Sequence, residues 1–499
     1  MITIRRKVQT AEKSPLQRFE AFLDQAYLEK PKHQLEGLTW CASKELDGSK
    51  GGIIGDEMGM GKTILMLGLM VSVYKKHTLV ILPKALINQW ANEIQDKLHH
   101  KPYILYGAHK TKKLTRDILE NNHIILTTYG TCVYLGMDSE LQKFKFGRII
   151  VDEAHHLKCE KTKTYKVVNN LQKDVLWLLT GTPIQNKIQD LLRLFDLLEI
   201  SRDDYKDLDK LPGILQKHML RRKKSQSTIT LPGLNEYKCG VNWENERDAK
   251  TSKLFHQQFT QLVSDNETTQ NLYYGMNKNA LVATLHAQML CVSPYLLQHK
   301  MKRYYDTTEG EMPSDSEYDF FSSTTKIDAV VDKINNNHIL QPNNKKLVFC
   351  HFRKEMEMLQ EKIILHTDLR CELYHGGLTS KQRNQLIQES PDVLVLQIRS
   401  GCEGLNLQQY NEVYFVSPCW NPSIEAQALA RCYRMGQKKQ TYVYRFYMKD
   451  FVEEEKEEIS GNDGVECEIP SMDTNIEIRQ EMKTKLVETM DNMLRNDVC

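Results

Sequence analysis

The 499-residue chain predicts an α/β protein of two lobes, each built on a parallel sheet, with helical protrusions and a C-terminal brace helix. Three observations predict it. Short apolar runs recur in both halves, each followed by a turn of small or polar residues and then a stretch of helical period. The length exceeds what one hydrophobic core fills and suggests about three domain-sized units. An early glycine-rich run has the form of a phosphate loop.

That run, GGIIGDEMGMGKT at residues 51–63, organises the rest of the chain. Ile53 and Ile54 lead as a strand into a turn with Gly55, Gly59 and Gly61, and ILMLGLMVSVY continues as a helix. Backbone N–H groups approach phosphates only where side chains are absent, and a helix N-terminus favours an anion. In such a cradle Lys62 reaches the β and γ phosphates, Thr63 ligates Mg²⁺, and Asp56, Glu57, Met58 and Met60 complete the loop. Asp56 stands where a phosphate loop ordinarily starts with glycine. Taken alone, the stretch is also compatible with a glycine-rich turn that holds nothing. Upstream, HQLEGLTW at 33–40 has two readings: Gln34 sits against a base, or the segment is a helical turn packing Leu35, Leu38 and Trp40 inward.

Composition narrows the class. Hydrophobic residues at 40%, charged residues at 26% and a mean hydropathy of -0.52 are those of a soluble globular protein. A net charge of +2 requires any polyanion-binding surface to be a local patch. The 12 cysteines include no C-x-x-C pair, so neither a zinc ribbon nor a disulfide framework is expected, and reduced thiols suit an intracellular compartment. MITIRRKVQT lacks the apolar core of a signal peptide, and no apolar stretch reaches membrane-spanning length.

After a charged leader (1–30), the first lobe is expected at 31–217. LVILP (79–83) and HIILTTYG (123–130) read as buried parallel strands, with KALINQWANEI as an amphipathic helix between them. FGRIIVDEAHHLK (146–158) delivers Asp152 and Glu153 to the carboxyl end of a strand, the edge where open parallel sheets bind ligands. Asp152 there holds Mg²⁺ through water, while Glu153 orients and deprotonates the attacking water. His155 relays the state of the site to the second half. VLWLLTGTPIQN (175–186) is again strand then turn, with Thr180 and Thr182 able to sense the nucleotide.

DEMGMGKT, VDEAHHLK and LTGTPIQN, in this order, resemble the motifs of the Swi/Snf-type ATPases, chromatin-remodelling members of helicase superfamily two. The resemblance spans about residues 30–495, and so minimal a chain looks like the virus-encoded members. It implies two RecA-like lobes that use ATP and Mg²⁺, an acid at the Asp56 position, and Gln34 as the residue that recognises adenine.

The region 218–322 is expected to be a basic linker and helical protrusion. Its run Arg221, Arg222, Lys223, Lys224 has three readings: a solvated charge run, a nuclear import signal, or the linker between lobes. The resemblance favours the linker. Some members carry a RING finger before the second lobe. No cysteine lies in 298–322, so a zinc site and ubiquitin-ligase activity are not expected there.

The second lobe is expected at 323–460, where KKLVFCHF, CELYHGG and VLVLQ resume the strand pattern. In CWNPSIEAQALARCYRMGQ, helical spacing puts Gln427, Arg431 and Arg434 at i, i+4 and i+7 on one face. Such a face is usually solvated. The resemblance implies instead that these residues point across the cleft between lobes, with both arginines acting on the γ-phosphate once the lobes close. Trp420, Asn421 and Pro422 match a family block, whereas Ser417 replaces an acid common nearby. An acidic tail and a brace helix, with Ile476, Met482, Leu486, Met490 and Met493 at helical spacing, are expected in 461–499.

The function this implies is an ATP-dependent translocase on double-stranded DNA that remodels protein–DNA complexes, affects transcription and acts in the nucleus. The alternatives are a non-catalytic regulator that works by binding, and a strand-separating helicase.

Overall fold

The structure is a computed structural model and describes residues 13–107, 111, 113–207, 209–226, 231–244, 246, 248–250, 252–254, 256–257, 278–300, 323–401, 405–451 and 469–494. Residues 301–322 of the expected linker and protrusion region, most of the leader's first half and the acidic part of the tail lie outside the described residues. The chain divides into two compact units, Met1–Thr230 with Lys485–Cys499, and Leu231–Thr484.

The first unit holds a seven-stranded sheet in the order β3-β4-β2-β5-β6-β1-β7, and every pairing in it is parallel. Its strands are β1 (Gly51–Ile54), β2 (Thr78–Leu82), β3 (Tyr103–Leu105), β4 (Ile124–Thr128), β5 (Phe146–Asp152), β6 (Lys173–Leu179) and β7 (Met219–Leu220). Successive side chains of a strand point to opposite faces. Ile53, Leu79, Ile149, Val151 and Leu178 accordingly join one buried cluster, and Ile54, Val80, Ile150, Trp177 and Leu179 join another. Helices cover both faces, which is why these strands read as unbroken apolar runs. On one face lie α1 (Pro15–Gln25), α2 (Lys32–Leu46), α3 (Lys62–Ser72) and α4 (Ile87–Leu98). A buried ion pair ties α2 to the sheet: Arg148 Nε donates to Glu45 at 2.7 Å, and Trp177 Nε1 donates to the same carboxylate at 2.8 Å.

The second unit repeats the plan with six parallel strands in the order β10-β11-β9-β12-β13-β8. They are β8 (Leu234–Val241), β9 (Lys346–Cys350), β10 (Cys371–Tyr374), β11 (Val393–Gln397), β12 (Glu412–Phe415) and β13 (Thr441–Met448). Val348, Val395 and Tyr414 face one buried cluster, and Leu347, Leu396 and Val413 the other.

The stretch expected as linker and protrusion is more than that. Met219–Leu220 completes the edge of the first sheet, and Leu234–Val241 pairs along its whole length with Thr441–Met448 at the edge of the second. Both escape a reading by apolar runs, because β7 has two residues and β8 is half exposed. The protrusion is helical where described, at Lys278–Val292.

The C-terminal helix runs Met472–Met493, inside the expected 461–499. Met472 and Ile476 belong to a core cluster of the second unit, whereas Met490 is buried in the first, with Leu486, Val487 and Met493 packed beside it. Met482 is exposed. Near the start of this helix, buried Asp473 pairs with buried Lys326, whose ammonium also donates to Ser417 Oγ at 2.6 Å. Lys326 thus takes its carboxylate partner from a residue distant in sequence, while Ser417 offers it a hydroxyl.

Candidate nucleotide site

The carboxyl ends of β1, β6 and β5 are neighbours in the first sheet, so the turns that follow them share one edge. β1 opens into the glycine-rich loop, β5 into Asp152–Glu153, and β6 into Thr180–Gly181–Thr182. In open parallel sheets this edge is where ligands bind.

The loop turns because Gly59 and Gly61 take φ of 84° and 83°, a region costly for any residue with a Cβ. Gly61 is the N-cap of α3 and brings no capping side chain, so the first turn of the helix keeps its N–H groups for another acceptor. Lys62 is the first residue of that helix. Its Nζ donates to the carbonyls of Asp56 at 2.7 Å and Glu57 at 3.3 Å. Burial pulls the Lys62 ammonium below its usual range, against the carboxylates of Glu153, Asp56 and Asp152. Thr63 follows it in the first turn of α3, and Met60 is buried. A Cβ on Gly181 would meet Met58 Cγ at 2.5 Å and Lys62 Nζ at 3.6 Å, so this glycine lets the turn after β6 close on the loop.

Asp152 is held on both oxygens. Trp90 Nε1, from α4, donates to Oδ2 at 2.8 Å, and the Glu153 amide donates to Oδ1 at 2.9 Å. Burial, and then the adjoining Glu153 carboxylate, push the Asp152 carboxyl up to about 6. Glu153 has φ of 52°, which swings the chain sharply after the strand. The Tyr129 hydroxyl supports that turn by donating to the carbonyls of Asp152 at 2.6 Å and Glu153 at 3.2 Å. Tyr129 also lines a groove of about 460 Å³, with Pro83, Lys84, Tyr106 and Tyr134, beside the ends of β2, β3 and β4. His155 joins two of the turns: its Nδ1 lies 3.2 Å from Thr180 Oγ1 and 3.3 Å from Glu153 Oε2. Thr180 Oγ1 also accepts the Thr182 amide at 3.1 Å. These contacts of His155 all lie within the first unit.

Gln34 lies on the helix that the packing reading predicts and reaches the glycine loop from there. It is buried in α2, and its Nε2 donates to the carbonyls of Met60 at 2.6 Å and Gly61 at 3.3 Å. Two carbonyls on the amide nitrogen fix the flip, and Oε1 is left buried with no donor among the described residues. Leu38 is buried and Leu35 and Trp40 are half-buried on the same helix, as core packing requires.

The basic run is pinned to the loop rather than solvated. Asp56 turns its carboxylate to Arg222, accepting from its Nε and its amide at 3.0 Å each. Arg221 Nη1 donates to the Gly55 carbonyl at 2.8 Å and the Gly181 carbonyl at 3.3 Å. The Lys224 amide donates to Glu57 at 2.8 Å. The side chains of Asp56 and Glu57 are therefore scaffolding for the loop, and the carbonyl of each faces Lys62. An import receptor needs the run accessible, and Arg221 and Arg222 meet that need only by leaving these bonds.

In the second unit the expected helical face does not form. The helix spans Pro422–Leu429, so Gln427 lies in it while Arg431 and Arg434 lie beyond its end. Ala430 already bonds to two carbonyls, those of Ala426 and Ala428, and the chain tightens into turns that finish at Gly436 with φ of 97°. The buried Gln437 amide holds this segment, donating to the carbonyls of Gln408, Tyr410 and Cys432 at 3.0–3.1 Å. Gln427 is buried, and the buried Nε of Arg431 has no acceptor among the described residues. Arg434 is partly buried.

Reading the sequence missed Trp90, Tyr129, Arg221 and Arg222 as parts of this site. Trp90 and Tyr129 sit in stretches whose apolar pattern already accounts for them as core.

A buried amine at a glycine loop, beside an acidic pair and a threonine-rich turn on adjacent parallel strands, defines a nucleotide-hydrolase fold. Residues 33–296 match the SNF2-related domain, and residues 325–436 match the helicase conserved C-terminal domain. The first match takes in more than half of the chain, and the protein belongs to the SNF2-related family, whose paired domains imply ATPase activity. It is 27% identical over 527 residues to the DNA excision repair protein ERCC-6-like of Danio rerio, covering 88% of this chain and 36% of that one. It is 26% identical to human SWI/SNF-related matrix-associated actin-dependent regulator of chromatin subfamily A member 1, covering 85% and 42%. The chain thus spans well under half of these two relatives. It is 26% identical to the probable global transactivator of Orgyia pseudotsugata multicapsid polyhedrosis virus, covering 84% of this chain and 86% of that one. The solved Sulfolobus solfataricus SWI2/SNF2 ATPase core in complex with dsDNA covers 84% of this chain and 88% of its own at 23% identity and a TM-score of 0.39.

Proposed function

We propose that the protein is a DNA-dependent ATPase that translocates on double-stranded DNA, remodels protein–DNA complexes and thereby affects transcription in the nucleus. The observation that carries the hydrolytic part is the single sheet edge on which Lys62, Asp152, Glu153 and Thr180 lie together. The relatives' printed roles in chromatin regulation and excision repair support the DNA-bound substrate.

In this reading Gln34 selects adenine and the loop Asp56–Thr63 cradles the phosphates, with Lys62 as its cation. Thr63 and Asp152 hold Mg²⁺, which neutralises charge on the phosphates when bound. Asp152 already accepts two protein hydrogen bonds, which suits a water-mediated hold. Glu153 orients the attacking water and takes its proton. Gln427, Arg431 and Arg434 are the second unit's contribution, with both arginines as fingers for charge developing on the transferred phosphoryl group. Phosphate-backbone contacts make DNA binding fall steeply with salt.

The test is steady-state ATP hydrolysis by the purified chain, with and without linear duplex DNA, beside Glu153→Gln. Strong stimulation that the variant abolishes is expected. Unstimulated hydrolysis, or preferential stimulation by RNA, sinks the duplex-DNA reading.

A further inference from the structure

The basic run touches the site described above, whereas the end of the C-terminal helix has had no part in it so far. They meet in the first unit. Asp491, in the last turn of the helix Met472–Met493, is 5% exposed and bonds Arg221 Nε through Oδ1. Its Oδ2 lies 2.7 Å from Lys223 Nζ. Arg221 in turn bridges the carbonyls of Gly55 and Gly181, one from each of two turns that flank Lys62.

The same strand edge reinforces this junction. Leu220, the last residue of β7, accepts the Gly55 amide at 2.7 Å through its carbonyl, and beyond the strand the Arg222 carbonyl accepts the Glu57 amide at 3.0 Å. The first half of the glycine loop thus follows the path of residues 220–222, and Asp491 is the anion that orients the side chain of Arg221 among them. Burial disfavours the Asp491 charge, yet Arg221 and Lys223 hold the carboxyl below its usual range.

We propose that Asp491 is a positioning residue for the nucleotide loop: through Arg221 it holds the turns after β1 and β6 together, so the C-terminal helix sets nucleotide affinity. An oriented guanidinium can bond two carbonyls at once, whereas an Arg221 without its anion keeps its charge and loses its fixed direction. The effect belongs to binding rather than to the chemical step, because Asp491 bonds neither Asp152 nor Glu153.

The inference rests on the nucleotide reading of that loop. The experiment is equilibrium binding of a fluorescent ATP analogue to the full chain, with KM and kcat for ATP measured alongside. Wild-type protein that binds no analogue sinks the nucleotide reading itself. Given wild-type binding, Asp491→Asn is expected to weaken affinity and raise KM at least about fivefold while kcat stays within about twofold. Asp491→Glu, which keeps the charge, is expected to restore most of the affinity. Lys223→Met leaves the Arg221 bond in place and is expected to bind like wild type. Met490→Ala loosens the same helix turn without touching a charge and controls for helix docking. The inference is overturned if Asp491→Asn binds the analogue normally, if its loss appears in kcat with affinity intact, or if Met490→Ala or Lys223→Met weakens affinity as much.

Discussion

In the proposed reading, the preference for adenine rests on a single buried atom of Gln34. Its amide nitrogen is committed to the carbonyls of Met60 and Gly61, so its oxygen faces the other way, buried and without a donor among the described residues. A buried acceptor left without a donor costs about 1–3 kcal/mol, and an amino group on the bound base would relieve that cost. Gln34→Ala is therefore expected to raise KM for ATP about tenfold and to narrow the preference for ATP over GTP, with kcat little changed. Competition of the two nucleotides in one assay measures the ratio, and an unchanged preference would falsify the role. Tyr129 acts at a different step. Its hydroxyl supports the backbone at Asp152 and Glu153, where the chain takes a φ rare outside glycine. One neutral hydrogen bond contributes about 1 kcal/mol, so Tyr129→Phe is expected to lower kcat roughly five- to tenfold with KM for ATP unchanged. A variant whose kcat matches wild type shows that the turn holds without the hydroxyl.

At the scale of elements, the start of the helix Arg353–His366 carries a pH dependence. Glu355, fully buried there, accepts the amides of His351 at 2.8 Å and Phe352 at 2.9 Å, capping the turn after β9. Burial pushes its carboxyl from 4.5 up to about 7, although those two amides and Lys326 oppose the rise. The folded state thus holds this proton more tightly than the unfolded chain. Its contribution to stability is full below about 4.5 and is lost as pH rises toward 7, by about 3 kcal/mol over the window. Glu355→Gln is expected to remove this part of the slope. The check is the thermal midpoint of the second unit between pH 5 and pH 8, as variant minus wild type, and a flat difference rejects the assignment. Legibility from sequence also divides at this scale. Buried parallel strands were readable because both faces are covered, so Ile149–Val151 and Val393–Leu396 stand out as apolar runs ending in polar turns. The loop, the acidic pair and the threonine turn were readable as a set because each follows such a run. The edge strand Leu234–Val241 was not, since its pairing with Thr441–Met448 leaves no apolar trace. The end of the helix at Leu429 was hidden too, because ALARCYRM keeps a helical spacing while Gly436 and buried Gln437 decide the turn.

At the scale of the molecule, the first unit is not a continuous stretch of chain. It takes residues up to Thr230 and then Lys485–Cys499, with the second unit inserted between. Sequence periodicity showed a helix at the C-terminus but not its core partners, which is the ordinary limit where contacts join residues far apart in the chain. Met490 is 1% exposed in the core built on Ile53, Val151 and Leu178, and Leu486, Val487, Met493 and Leu494 pack against that core. Fully burying a side chain of this size, as at Met490, contributes about 1.5–3 kcal/mol, and the four partly buried residues beside it add to that. A chain ending at Thr484 keeps every residue of the second sheet and of the glycine loop, yet it lacks this apolar seal and Asp491. It is expected to unfold in two separated transitions. The one assigned to the first unit should fall by roughly 10 °C or more, on the scale of 2–4 °C per kcal/mol for a unit of this size, while the other stays within about 2 °C. Calorimetry of the truncated and full-length chains, with the first-unit transition identified by its upward shift on adding ATP analogue, decides it. If both transitions keep their full-length midpoints, the glycine-loop unit is complete without the end of the chain, and the apolar contacts of Met490 contribute no stability to it.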